Sequence, residues 1–461
     1  MFPLQNISDY TGYFTKPPLA LAGVSPHARE CTEHCKGGVL GSHITVEDGR
    51  QRRLLNVLPP TVAELFANVW AATEMLDRQQ WWLARERHCP VHLLVEFDAS
   101  SSANEIPAVE RVSQRLSESG VEHTFALTLF RITSLKPFAV LLQRSEEVYL
   151  KEFYLTSIQA LAGLERLRTV SMAVSHGTFS VEPLTACPNL KSVCIDACPD
   201  ATSLESLGRL EGVRRMKLLE CNILSVDFLK DCRLLVFVDV SGCRELTSLD
   251  GLSGLRNLLH VDATVCGLEN ILGLAGCVAL KTLVVSRCAA LTSLDGLAGL
   301  QNLTTVTAEG SGLENIQDLK GCVALRTLAV NRCPALTSLD GLAGLQNLTT
   351  VTAEGSGLEN IRGLKGCVAL ETLVVNLCPA LTSLDGLSGL PNLKDVRAAA
   401  GGLRNIQDLR GCTALETLDV SYSQALTSLE GLEGLPNLRV LCVYGSGVPR
   451  DVRPRLEPPT T

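Results

Sequence analysis

Eighteen cysteines and eight histidines carry the most specific chemistry open to this 461-residue chain. Near the N-terminus, His27, Cys31, His34, Cys35 and His43 invite a zinc reading, because imidazole and thiolate are the usual zinc ligands. Their C-x3-C and H-x3-C spacing lacks the paired knuckles of common zinc sites, so no metal is expected there. His88, Cys89 and His92 flank an apparent strand and do not change that expectation. Farther along, thiols recur in two series. Cys187, Cys232, Cys277, Cys322, Cys367 and Cys412 stand 45 residues apart, while Cys198, Cys221, Cys243, Cys266 and Cys288 follow one another at 22 or 23. Aspartate precedes glycine at Asp250, Asp295, Asp340 and Asp385 with the same 45-residue period. A carboxylate repeated in this way reads as a turn residue, since an active site is one constellation. There is no P-loop, no G-x-G-x-x-G after a strand, no H-E-x-x-H and no nucleophile elbow. Neither catalysis nor a cofactor is expected.

The elements that position these residues come from a repeat. LTSL begins at Leu246, Leu291, Leu336, Leu381 and Leu426, and residues 291–316 are identical to 336–361. Each 45-residue unit is double, with a half of 22 residues from Leu291 to Gly312 and a half of 23 from Leu313 to Ala335. Leu303-x-x-Val306-x-Ala308-x-x-Ser311-x-Leu313 in one half is matched by Leu325-x-x-Leu328-x-Val330-x-x-Cys333-x-x-Leu336 in the other. The alternating pair points two apolar residues inward from a short strand. Elsewhere the apolar period is three, as in Leu291, Leu294, Leu297, Leu300 and Leu303, which suits 3₁₀ or extended turns rather than an α-helix. One such unit cannot close a core, so the units must stack.

This pattern resembles the leucine-rich repeat, L-x-x-L-x-L-x-x-N/C-x-L, over about two-thirds of the chain. The 22-residue halves resemble the short class seen in a regulatory subunit of protein phosphatase 1, and the 23-residue halves the cysteine-containing class of F-box proteins. The resemblance implies an α/β repeat: a curved parallel sheet with a mostly 3₁₀ or turn convex side, about thirteen turns from Leu155. One departure is clear. The asparagine position holds Cys, Ser or Gly, so the amide ladder of the family is weaker here or built differently. In a stack, cysteines 45 residues apart sit about 10 Å from each other, too far for a disulfide. The second series occupies the asparagine position in successive turns. A ladder of reduced thiols donating to backbone carbonyls is expected there, with pairing or metal as the alternative.

Before the repeat the composition changes. Sixteen of the twenty aromatic residues precede residue 181, including Trp70, Trp81 and Trp82. Thr61 with Glu64 forms a capping box, and Val62, Leu65, Phe66, Val69 and Trp70 make one apolar helical stripe. Leu58-Pro59-x-x-Val62-x-x-Leu65-Phe66-x-x-Val69 resembles the start of an F-box, although Trp81 and Trp82 fall several residues early for that motif; a plain capping helix is the alternative. Strands are predicted over Val91–Phe97 and His123–Phe130, and a helix over Glu105–Ser117. Apolar stretches follow around Phe138–Leu142 and Val148–Leu155. The expected organisation is a poorly defined segment over 1–56, an α/β cap over 57–154, the repeat over 155–448 and a flexible Pro-rich tail over 449–461. A net charge of −8 argues against nucleic acid and anionic membrane, and no apolar run reaches the roughly 20 residues of a spanning helix. With no basic leader, a cytoplasmic location is expected.

What remains is a surface. The central outward column reads Cys194, Lys217, Asp239, Asp262, Val284, Thr307, Ala329, Thr352, Val374, Arg397, Asp419, Cys442, smooth in the middle and charged toward both ends. Phe237, His260, Tyr422 and Tyr444 are expected on the same face, as residues flanking the inward pair. Candidate partner-binding residues are therefore Lys217, Phe237, Asp239, His260, Asp262, Val284, Arg397, Asp419, Tyr422 and Tyr444. Mixed charge with few aromatics suits a protein partner and not RNA. The expected function is a non-enzymatic protein-binding scaffold. A ubiquitin-ligase substrate adaptor, on the F-box-like helix, and a regulatory subunit of a phosphatase or an adenylate cyclase are the alternatives that the family resemblances imply.

Overall fold

The computed structural model describes residues 40–46, 91–98, 105–118 and 123–449. His27, Cys31, His34 and Cys35, the F-box-like stretch, Trp81 and Trp82, and the tail from Arg450 lie outside the described residues. The chain divides into two compact units, Met1–Val213 and Arg214–Thr461.

In the first unit, β1 (Leu40–Val46), β2 (Val91–Asp98), β3 (His123–Phe130), β4 (Ser145–Phe153), β5 (Thr169–Ser175) and β7 (Ser192–Asp196) pair in parallel, each with the next in that order. The short β6 (Phe179–Ser180) and β8 (Ala201–Thr202) form a separate parallel pair. Parallel neighbours need crossovers, and the β2–β3 crossover contains α1 (Glu105–Glu118). Its buried Val109 and Ser113, four residues apart, share one helical face, and Ser113 Oγ lies 2.7 Å from Nε2 of the buried His123 at the start of β3. After β3, Lys136–Phe138 and α2 (Ala139–Leu142) close a tight connection into β4. The aromatic excess is spent inward: Phe97 packs on Phe138 at 5.2 Å and Phe153 on Phe179 at 5.3 Å. β4 pairs with β5 across residues 154 and 155, so parallel strands run through the expected cap–repeat boundary. β1 lies inside the segment expected to lack definition, and it carries His43.

The second unit is an eleven-stranded parallel sheet: β9 (Arg215–Leu219), β10 (Phe237–Asp239), β11 (His260–Asp262), β12 (Thr282–Val284), β13 (Thr305–Thr307), β14 (Thr327–Ala329), β15 (Thr350–Thr352), β16 (Thr372–Val374), β17 (Asp395–Arg397), β18 (Thr417–Asp419) and β19 (Val440–Cys442). With β5 and β7 this makes thirteen repeat strands after Leu155 among the described residues. The middle residue of each triplet points inward and is buried, and the period-three leucines Leu291, Leu294, Leu297, Leu300 and Leu303 are buried with it. Single 3₁₀ turns such as Gln317–Leu319 and Arg362–Leu364 carry the outer side. Side chains three apart eclipse in that geometry, which is why the apolar period is three. Gly363 sits where these turns stack most closely, and a Cβ there would overlap the Leu339 carbonyl.

Candidate binding face

The register decides which residues share a column. Lys217, Asp239 and Asp262 are successive Cα partners, followed in order by Val284, Thr307, Ala329, Thr352, Val374, Arg397, Asp419 and Cys442. The column expected from spacing is the observed one throughout the second unit. Two strand positions earlier runs a second outward column, in which Phe237 and His260 lead into Thr282, Thr305, Thr327, Thr350 and Thr372. Between β12 and β16 the face is therefore built of half-buried Thr, Val and Ala.

At the β9–β11 end five candidates meet. Phe237 and His260 stack at 4.5 Å with planes 9° apart, and Lys217 Nζ lies 5.1 Å from the centre of the Phe237 ring. The same ammonium is 3.4 Å from Asp239 Oδ2. Asp239 Oδ1 accepts from the Ser241 backbone N–H and hydroxyl, and Asp262 Oδ1 from the Thr264 N–H and hydroxyl and from Ser241 Oγ. These bonds correct one expectation. Asp239 was to face solvent freely, yet it is only 8% exposed, because the carboxylate folds back to terminate its own strand. Burial depresses the pKa of His260 and the Lys217 charge lowers it further, against the opposing pull of Asp262 and Asp239.

Toward the other end, Arg397 grips Asp395 through Nε and Nη2, at 3.1 and 3.0 Å, and this bond and charge raise its pKa. Asp419 Oδ1 accepts the Ser421 N–H at 2.9 Å. Tyr422 and Tyr444 are exposed, 57% and 71%, in a T-shaped pair at 5.5 Å. Neither lies in the strand columns. Both follow their strands, and Tyr422 has a left-handed backbone (φ 60°), which displaces the pair from the face to its rim.

Two ladders stand where asparagine was missing. Cys243, Cys266, Cys288, Cys333 and Cys378 direct their thiols to carbonyls one turn back, at 3.0–3.3 Å. Ser311 and Ser356 occupy the same position, each donating to a carbonyl at 2.7 Å and accepting the N–H of Cys288 or Cys333. All fifteen described cysteines are free. Burial pushes the Cys243 and Cys288 thiols up to about 11, and Cys266 higher still. On the rim, Asn331 and Asn376 donate to the carboxylates of Glu309 and Glu354. They accept, in turn, the N–H groups of Glu354 and Ala399. Sequence reasoning missed this rim ladder, although polar residues recurring two positions beyond the central outward residues from Asp239 to Val374 marked it.

Stacked 22- and 23-residue turns, each with an inward-facing strand core and a 3₁₀ or turn return, define a leucine-rich-repeat protein. Among solved structures, the chain is similar to an internalin from Listeria monocytogenes, with a TM-score of 0.53 and 21% identity over 63% of this chain and 84% of that one. It is also similar to a leucine-rich-repeat protein from Leptospira interrogans, with a TM-score of 0.51 and 13% identity over 76% and 89%. Likeness at these identities concerns the fold. No protein-family model matches the chain, and no curated protein matches its sequence. Among the described residues no helix is long and apolar enough to cross a membrane.

Proposed function

We propose that the chain is a non-enzymatic scaffold that binds a protein partner on the outward face of the second unit's sheet. The observation that carries this reading is the unbroken column from Lys217 to Cys442, polar and charged toward its ends and smooth between β12 and β16. A smooth, uncharged and weakly apolar centre with a charged periphery fits the anatomy of a protein interface. A cytoplasmic location, the expectation from the sequence, belongs to the same proposal. The adaptor and regulatory-subunit readings draw no support from the described residues.

Photocrosslinking tests the reading. A crosslinker placed at Val284 or Val374 should capture the partner, and one at Val323, which is exposed elsewhere on the turn, should not. Lys217→Glu with Arg397→Glu should weaken the captured complex by about 2 kcal/mol, the scale of a hot-spot contact. Capture from Val323 alone, with affinity unchanged in the double variant, would move the site off this face.

A further inference from the structure

Beyond the strands, the second unit carries a row of residues that neither the core nor the outward columns use. Three positions after each central outward residue the backbone is left-handed, at Arg287 (φ 58°), Gly310 (65°), Arg332 (57°), Gly355 (66°), Leu377 (57°), Ala400 (53°), Tyr422 (60°) and Gly445 (68°). Glycine is the residue that adopts this conformation without steric cost. From Arg287 onward the row alternates instead, a long side chain in one turn and Gly or Ala in the next. The long side chains lie toward the small residue that follows: a Cβ on Gly310 would stand 3.7 Å from Arg287 Cγ, and one on Gly355 3.8 Å from Arg332 Cγ. At Gly445 a Cβ would press on the Tyr422 ring.

The result is an exposed ridge of Arg287, Arg332, Leu377 and Tyr422, ending in the Tyr422–Tyr444 pair. Neither arginine forms an ion pair among the described residues, and the neighbouring carboxylates of Glu309 and Glu354 are held by asparagines. The ridge repeats every two turns, a distance of about 9.6 Å at the spacing of parallel strands. Three residues of polyproline II rise about 9.3 Å and return to the same side of the ligand. Same-side residues of an extended strand recur at about 6.6 Å, and a helical heptad at about 10.5 Å. Over the three intervals from Arg287 to Tyr422, about 29 Å, nine polyproline II steps cover about 28 Å, whereas three heptads overshoot to about 32 Å.

We propose that this rim binds a proline-rich segment of the partner in polyproline II conformation, with carboxylates three residues apart on Arg287 and Arg332. At the next two three-residue steps, apolar residues lie on Leu377 and on the Tyr422–Tyr444 pair. Guanidinium recognises carboxylate with fixed geometry, and exposed aromatics are the usual ledge for proline-rich chains. The proposal rests on the reading of this unit as protein-binding, and it names the class of segment bound.

The probe is a fluorescein-labelled peptide, Glu-Pro-Pro-Glu-Pro-Pro-Leu-Pro-Pro-Leu-Pro-Pro, titrated with the full chain at low salt and read by anisotropy. It should bind saturably, and at least about tenfold more tightly than a peptide of equal composition with adjacent glutamates. Arg287→Glu with Arg332→Glu should weaken it by about tenfold or more, and replacing both peptide glutamates by lysine should restore binding to that variant. Arg287→Gly with Arg332→Gly suits the left-handed backbone, so it should lose the peptide while keeping the melting temperature. Absent binding, equal affinity for both spacings, or tighter binding of a heptad helix would overturn the proposal. If the crosslinked partner still depends on Lys217 and Arg397 in that event, the scaffold reading stands and only the rim assignment falls.

Discussion

Asp239 shows how one side chain can serve the fold while lying in the column expected to serve the partner. Its carboxylate takes two bonds from Ser241 and an ion pair from Lys217, so it terminates a strand and orients a cation. Asp239→Ala should therefore cost about 1 kcal/mol in chemical denaturation, through the lost bonds to the half-buried Ser241. A charge-reversing lysine at this position is expected to destabilise the unit as well, so loss of binding in it would be ambiguous. Beside it, the partial burial of His260 lowers its pKa. Its folded pKa lies below the ordinary 6.5, so between those two values the unfolded chain binds more protons than the folded one. The resulting stability is complete above about pH 6.5 and is lost as pH falls through the folded value. Histidine NMR titration should place His260 below 6.5, and lower again in Asp239→Asn, which removes one of the charges that raise it. A value at or above 6.5 would contradict the half-buried stack.

At the scale of elements, the inter-turn ladders replace one asparagine column by thiols, hydroxyls and a separate rim of amides. Cys333→Ser should be neutral to within about 1 kcal/mol, because Ser311 and Ser356 already fill the equivalent position, while Cys333→Ala should cost about 1 kcal/mol through the lost bond. Native protein should resist thiol reagents at neutral pH, releasing its buried cysteines only on unfolding. Above the ordinary thiol value of 9.0, the unfolded chain ionises first, so stability should fall as pH rises through about 11, the folded value of Cys243 and Cys288. Much of this was legible beforehand. Period two in Leu328–Val330 and period three from Leu291 to Leu303 are direct projections of strand and 3₁₀ geometry onto residue type, so strands, turns and the central column followed from spacing. The ridge did not. Arg287, Arg332, Leu377 and Tyr422 have no intrinsic preference for a left-handed backbone, and the turn imposes it on them. Likewise, nothing in the spelling of Phe237-Val238-Asp239 tells that the acid folds back on Ser241, since that depends on where the strand ends.

For the molecule as a whole, growth by duplication has a mechanical test. Removing residues 291–335 joins Ala290 to Leu336, and the sequence that follows is the one removed, over 26 positions. The shortened chain should fold, with two fewer strands and a lower melting temperature, because array stability is close to a sum over turns and their interfaces. Aggregation of this deletion would mean that the turns are less interchangeable than their sequence.

The same identity bears on how a ligand finds its place. Two patches that are copies of one another, displaced along the stack by a single 45-residue step, offer any complementary segment two equivalent berths. A segment that touches the copied turns alone can hop between them without changing its contacts, whereas one that also reaches the ridge meets Arg332 in one berth and Leu377 in the other. Only what is unique can mark one berth as correct. The Phe237–His260 stack at one margin and the tyrosine pair at the other occur once each, and on the proposed reading they would serve as end stops that convert a degenerate track into a single address.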